Sequence, residues 1–126
     1  MKTLRLGIIG GGLMGKETAS ALARWCNLED VGVHAELTAI CDLQPAVLDW
    51  FHRIPTVKLF TADAATLLAS PEVDAVYVAV PHQLHEALYL QVRRAGKDLL
   101  AEKPFGIDLA AARRIRDEAQ KLDRVV

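Results

Sequence analysis

The sequence predicts an α/β fold, a doubly wound parallel sheet with helices on both faces. Two observations predict it. Short β-branched apolar runs alternate with longer stretches of helical period, the signature of β-α-β units that close on a parallel sheet. The alternation repeats five times in 126 residues, a length at which one domain buries roughly two-thirds of its unfolded surface without help from a metal or disulfide. A hydrophobic share of 52%, a charged share of 25% and five prolines describe an ordinary globular chain.

The elements follow in order. Leu4 to Ile9 reads as the first strand, Leu37 to Cys41 as the second, Val57 to Phe60 as a weak third, Ala75 to Val80 as the fourth and Leu99 to Ala101 as the fifth. Between them, Leu13 to Trp25 carries Ala and Leu at helical spacing. Gln83 to Ala95 sets Leu84, Ala87, Leu88 and Val92 on one face, and Leu109, Ala112, Ile115, Ala119 and Leu122 make a last apolar stripe. Gly96 is placed to end the middle helix in the left-handed conformation. Asn27 to His34 reads as a polar loop added before the second strand, and Arg124-Val125-Val126 as a sixth strand that begins and stops. The whole of 1–126 is one domain on this reading, a fragment of a larger two-domain enzyme.

Several functions are disfavoured. Fifteen Lys and Arg against sixteen Asp and Glu leave a formal charge of −1, which offers no long-range attraction to nucleic acid. Cys26 and Cys41 stand in neither a CxxC nor a zinc-like arrangement, so they read as buried reduced thiols and no metal site is expected. The first apolar run is too short for a signal h-region or a membrane span, which makes the cytoplasm the expected address. Trp25, Trp50, Phe51, His34 and His52 read as packing or surface residues.

Gly10, Gly12 and Gly15 give G-x-G-x-x-G after the first strand and at the mouth of a helix, the context in which that spacing cradles a dinucleotide in a Rossmann fold. Gly10 makes the tight turn, Gly12 lets backbone approach a pyrophosphate, and Gly15 lets helix and strand lie close. Leu13 and Met14 complete the turn, where the unpaired N–H groups of the helix bind an anion. Asp42, at the end of the second strand, is the expected anchor of the ribose hydroxyls and would repel a 2′-phosphate, so NAD is favoured over NADP. Capping a turn at Gln44-Pro45 is the other account of Asp42.

Ligands of open parallel sheets cross the carboxyl ends of the strands, which directs attention to Val80-Pro81-His82-Gln83-Leu84-His85 and Glu102-Lys103-Pro104. Here the sequence resembles the Gfo/Idh/MocA family of sugar and polyol dehydrogenases. That family's nucleotide domain has a G-x-G-x-x-G turn, a VATPNxxH-like segment and an EKP tripeptide in this order. The resemblance spans essentially the whole chain, with Val80 where the family has Thr and His82 where it has Asn. It implies that Val80, Pro81, His82 and His85 border the cofactor, with His85 near the nicotinamide ribose. It also implies that Lys103 is a catalytic residue, hydrogen-bonded to the substrate hydroxyl and coupled to a proton relay. An ammonium beside an alcohol stabilises the alkoxide as it forms, and burial beside a cationic ring would lower a lysine pKa from ~10.4. Glu102 would position either the ribose or Lys103.

The reading is therefore an NAD-dependent oxidoreductase domain acting on a sugar, polyol or related small molecule. The resemblance implies a C-terminal α/β domain, absent from this chain, that completes the substrate site and carries homo-oligomerisation, so the chain alone is expected to turn over little. The alternative is a stand-alone NAD(H)-sensing module, for which an intact Glu102-Lys103-Pro104 has no chemical use.

Overall fold

The computed structural model of the chain describes residues 1–24, 29 and 32–126. Five strands, β1 (Lys2–Ile9), β2 (Val33–Cys41), β3 (Leu59–Thr61), β4 (Ala75–Val78) and β5 (Asp98–Ala101), form one sheet in the order β3-β2-β1-β4-β5. Every pairing is parallel. The helices are α1 (Leu13–Ala23), α2 (Pro45–Phe51), α3 (Ala64–Ala69), α4 (His85–Arg94) and α5 (Leu109–Gln120).

Alternation along the strands sorts the core into two layers. Leu6, Ile8, Leu37, Ile40, Ala75 and Tyr77 face Ala19 of α1 and Phe51 of α2. Ile9, Ala39, Cys41, Val76, Val78 and Leu99 face Leu67 and Leu68 of α3, Tyr89 and Val92 of α4, and Ile115 of α5. Both faces are covered, which is why the strands read as nearly continuous apolar runs. Leu37 and Ile40 share a face although three residues apart, because a bulge interrupts the β1–β2 register. Leu6 pairs with Leu37 and Gly7 with Ala39. The extra residue is Thr38, whose hydroxyl donates to the Glu72 carbonyl at 2.7 Å, so the bulge keeps a satisfied polar group.

Four sequence expectations are corrected. β2 begins at Val33, so His34 lies in a strand and the proposed loop shrinks from its carboxyl end; its remainder falls mostly outside the described residues. Trp25 and Cys26 also lie outside them. Residues 124–126 form no strand. Leu99 N–H does donate to the Val125 carbonyl at 3.0 Å, but Val125 N–H donates to the Asp98 carboxylate at 2.9 Å. The guanidinium of Arg93 takes the carbonyls of Arg124 and Val125, so no ladder propagates. β4 ends at Val78 rather than Val80, with Ala79 N–H still donating to the Ile9 carbonyl at 2.8 Å.

The fourth correction concerns α4. Its buried residues are His85, Tyr89, Val92 and Arg93, whereas Leu84, expected inside, is exposed just before the helix begins. Polar side chains can take the inner face because each finds partners there. Arg93, with no exposed surface, spans the carbonyls of Ala119, Leu122, Arg124 and Val125. It thereby caps the carboxyl end of α5, where four carbonyls lack intrahelical donors. Gly96, at φ +72°, ends α4 as expected. α2 and α3, seven and six residues long, are too short to show a helical period. Their local signals are Pro45 in the first turn and Asp63, whose carboxylate accepts from Ala65 and Thr66 N–H.

Candidate functional site

The strand order reverses between β1 and β4, and in such sheets the crevice outside the carboxyl ends of those two strands receives the ligand. The chain after β1 turns at Gly10, whose φ of +100° suits glycine and where a Cβ would overlap the Ala79 carbonyl of the neighbouring strand end. Gly10 N–H donates to the Cys41 carbonyl at 2.8 Å, tying the turn to β2 as well. A Cβ on Gly15, in the first turn of α1, would overlap the Gly10 carbonyl, so α1 can cross the strand end this closely only with glycine there. Gly12 differs: a Cβ there meets nothing within 4 Å. The fold has room for a Cβ at Gly12, and the open space beside it is where an anion can approach backbone. Gly12 caps α1 without a side-chain hydrogen bond, leaving N–H groups of the first turn to bind that anion.

Asp42 stands at the end of β2 beside this turn. One carboxylate oxygen accepts Gly11 N–H at 2.8 Å and the other accepts Gln44 N–H at 2.9 Å. The two accounts of Asp42 are thus compatible. It caps the following turn and braces the glycine loop, while each oxygen keeps a lone pair for a ribose hydroxyl. Leu13, Met14 and Leu43 are large apolar residues left exposed around this end of the sheet, Leu13 by 75% and Leu43 by 83%. Leu43 was not singled out from the sequence; its signal is the position next to the acidic strand end.

A cleft of about 260 Å³ opens beside the turn, lined by Leu13, Met14, Ala79, Val80, His82, His85, Glu102 and Lys103. The structure therefore brings together the glycine turn, the residues after β4 and those after β5. His82 is exposed, its ring 5.5 Å from that of His85. Pro81 is exposed at the start of the same short 3-10 turn, His82–Leu84. His85 is buried, with 1% of its surface exposed, and both ring nitrogens face backbone carbonyls: Nδ1 lies 2.8 Å from Pro104 O and Nε2 3.2 Å from Val80 O.

Glu102 is held by residues that the sequence did not single out. Tyr77, in β4, donates its hydroxyl to one carboxylate oxygen at 2.6 Å, and Lys103 N–H donates to the other at 3.1 Å. The Tyr77 hydrogen bond, followed by the Lys103 N–H, holds the Glu102 carboxyl below its ordinary range against an opposing push from desolvation. Burial, reinforced by Glu102, pushes the Tyr77 hydroxyl up to about 12. Glu102 thus remains an anion next to Lys103. Lys103 itself is exposed, so the burial invoked for it from the sequence is not supplied by these residues. The Lys103–Pro104 peptide is cis.

Cys41 is a buried free thiol. Phe51 lies fully inside, Trp50 stacks edge-on against it at 4.8 Å, and His52 stacks on Phe60. Among the described residues no group of three or more His, Cys, Asp or Glu is placed to hold a metal, and no helix is long and apolar enough to cross a membrane.

Comparison with known proteins agrees with this geometry. Residues 4–126 match the GFO_IDH_MocA family, described as an oxidoreductase family with an NAD-binding Rossmann fold. The chain belongs to this family. It is 32% identical over 123 residues to an inositol 2-dehydrogenase of Corynebacterium glutamicum, an alignment covering 98% of the chain and 35% of that enzyme. Among solved structures, a levoglucosan dehydrogenase in complex with NADH and L-sorbose superposes with a TM-score of 0.89 at 25% identity, covering 99% of the chain and 34% of that protein. The WlbA dehydrogenase of Bordetella pertussis, in complex with NADH and UDP-GlcNAcA, superposes with a TM-score of 0.81 at 26% identity over 95% of the chain and 35% of that protein. The chain spans about a third of the length of the relatives it matches. These relatives are named as dehydrogenases, and they lend no support to the alternative of a non-catalytic sensing module.

Proposed function

We propose that this chain binds NAD(H) across the carboxyl ends of β1, β2, β4 and β5 and serves hydride transfer to and from a sugar, polyol or related small molecule. One observation carries the reading. The Gly10–Gly15 turn, the Asp42 carboxylate and the cleft lined by Glu102 and Lys103 converge at the point where the strand order reverses. The NADH complexes among the neighbours support the cofactor, and the names of the relatives support the substrate class.

Nicotinamide, when bound, exchanges a hydride with the substrate carbon. The chain's own residues do the rest. Backbone N–H groups at Leu13, Met14 and Gly15 bind the pyrophosphate, with Gly12 leaving room for it. Asp42 accepts hydrogen bonds from the adenosine ribose and repels a 2′-phosphate, which makes NAD rather than NADP the cofactor. Val80, Pro81 and His82 border the nicotinamide half. Lys103 places an ammonium beside the substrate oxygen, where it stabilises the developing alkoxide and exchanges a proton with it. Glu102, fixed by Tyr77, keeps a negative charge next to that ammonium. The remaining substrate contacts belong to the part of the relatives that this chain does not span, so the 126 residues bind the cofactor and turn substrate over slowly or not at all.

Calorimetric titration of the chain with NADH and NADPH tests this. Saturable binding that favours NADH supports the reading, and a folded chain that binds neither dinucleotide overturns it.

A further inference from the structure

Lys103 is exposed on a turn, yet its usefulness depends on where the turn holds it. The backbone on either side of Lys103 is held by two buried residues of α4. Tyr89 and His85 lie one helical turn apart on the same inward face of α4. The Tyr89 hydroxyl accepts Glu102 N–H at 2.9 Å and donates to Glu102 O at 2.9 Å, closing both hydrogen bonds of the residue before Lys103. His85 Nδ1 lies 2.8 Å from Pro104 O, the carbonyl of the residue after it. Pro104 O and Val80 O are both acceptors only, a neutral imidazole has one N–H to give, and the shorter contact assigns that proton to Nδ1. The opposite edge of the ring, at Nε2, lies 3.2 Å from Val80 O at the end of the β4 segment. The rings of His85 and Tyr89 stack at 4.9 Å, and the Tyr89 hydroxyl sits 3.1 Å from Nδ1.

We propose that His85 and Tyr89 are a pair of positioning residues, clamping the backbone on both sides of Lys103 to the inner face of α4 and so setting where its ammonium stands in the cleft. The inference rests on the reading of Lys103 as the substrate-facing residue. It assigns His85 an action through the turn, since both ring nitrogens already face protein carbonyls. Glycine-turn residues and Asp42, on the other side of the site, are untouched by the clamp. Its loss should therefore be felt by the nicotinamide half of the cofactor and not by the adenosine half.

The test compares the unmodified chain with His85→Phe and Tyr89→Phe, which keep the stacked rings and remove the hydrogen bonds, and with His85→Asn, whose amide can still donate to Pro104 O. Backbone amide NMR of Lys103 and Phe105 and titrations with NADH and ADP-ribose are the readouts. Both phenylalanine variants are expected to shift the two amide signals and weaken NADH about five- to ten-fold, with ADP-ribose changed less than two-fold; His85→Asn is expected to restore most of the His85→Phe effect. Amide signals unmoved in both phenylalanine variants, or NADH and ADP-ribose weakened equally, would overturn the clamp. If the unmodified chain binds no NADH, the cofactor reading fails, while the amide signals still decide whether the clamp exists.

Discussion

Replacing Asp42 by alanine is the perturbation that bears most directly on the cofactor assignment. Each Asp42 oxygen already accepts one protein N–H and has a lone pair left for a ribose hydroxyl. A hydrogen bond to a charged group contributes about 1.5–3 kcal/mol, and two bonds to one carboxylate share that charge and do not add fully. The expected loss is about 2–3 kcal/mol, or about 30- to 150-fold in the Kd for NADH. NADPH should lose nothing comparable, because the same substitution removes the charge that repels a 2′-phosphate, so the preference between the two cofactors narrows by at least tenfold on the order-of-magnitude scale of one charged hydrogen bond. A structural cost accompanies this. Gly11 is buried, and its N–H loses its acceptor, which costs about 1–3 kcal/mol and lowers Tm by about 4 °C per kcal/mol. Asp42→Asn separates the two effects, since its amide oxygen can still accept from Gly11 while the charge is gone. Calorimetry with NADH and NADPH on the three folded proteins is the assay. The reasoning is refuted if Asp42→Ala binds NADH as tightly as the unmodified chain, or if the unmodified chain prefers NADPH.

Gly12→Val should lower Tm by no more than about 4 °C, the cost of a poorer helix cap of about 1 kcal/mol, because its Cβ enters open space, yet abolish detectable dinucleotide binding; a variant that binds normally would show that the pyrophosphate lies elsewhere. Gly15→Ala should do the reverse first, destabilising the chain by about 1–3 kcal/mol through overlap with the Gly10 carbonyl, as read by chemical denaturation. Arg5 grips Asp74 through two guanidinium bonds, at 3.0 and 2.7 Å, and through its own N–H at 2.9 Å, which holds the Asp74 carboxyl below its ordinary range. Its folded-state pKa is depressed, so this contribution is fully present above the unfolded carboxylate pKa and is lost as pH falls through the folded value. The Tm gap between the unmodified chain and Asp74→Asn should accordingly be open at pH 7 and close toward pH 2, and a gap independent of pH would contradict the assignment. Burial pushes the Cys41 thiol up to about 11, so peptide mapping after maleimide treatment at pH 8 should find Cys41 unlabelled until denaturant is added; rapid labelling of the folded chain would refute this.

What the sequence determined by itself is the part of the molecule written in short-range signals. The alternation of strand and helix, the G-x-G-x-x-G spacing, the acidic residue closing β2 and the EKP tripeptide each lie within a few residues. Backbone conformation and strand-to-helix geometry are themselves local there, so Gly10 and Asp42 sit at strand ends and Gly15 in the first turn of α1, where their spacing puts them. The fold class and the candidate cofactor site follow from them.

Tertiary structure decided the partners of the polar groups. Tyr77 and Glu102 are 25 residues apart and meet only because β4 and β5 are neighbours in the sheet. His85 reaches Pro104 across 19 residues, and Arg93 reaches carbonyls 26 to 32 residues away. Hydropathy caught only part of the inner face of α4, Val92 and half-buried Leu88 but not His85, Tyr89 or Arg93, for the same reason: a His, a Tyr or an Arg costs free energy to bury chiefly while its hydrogen bonds are unmade, and a single sequence does not display the acceptors that a distant segment brings. The apparent sixth strand failed likewise, because Asp98 and Arg93 claim the backbone groups that a ladder would have used. Local pattern picked out the candidate site, and the three-dimensional arrangement chose which side chains brace it.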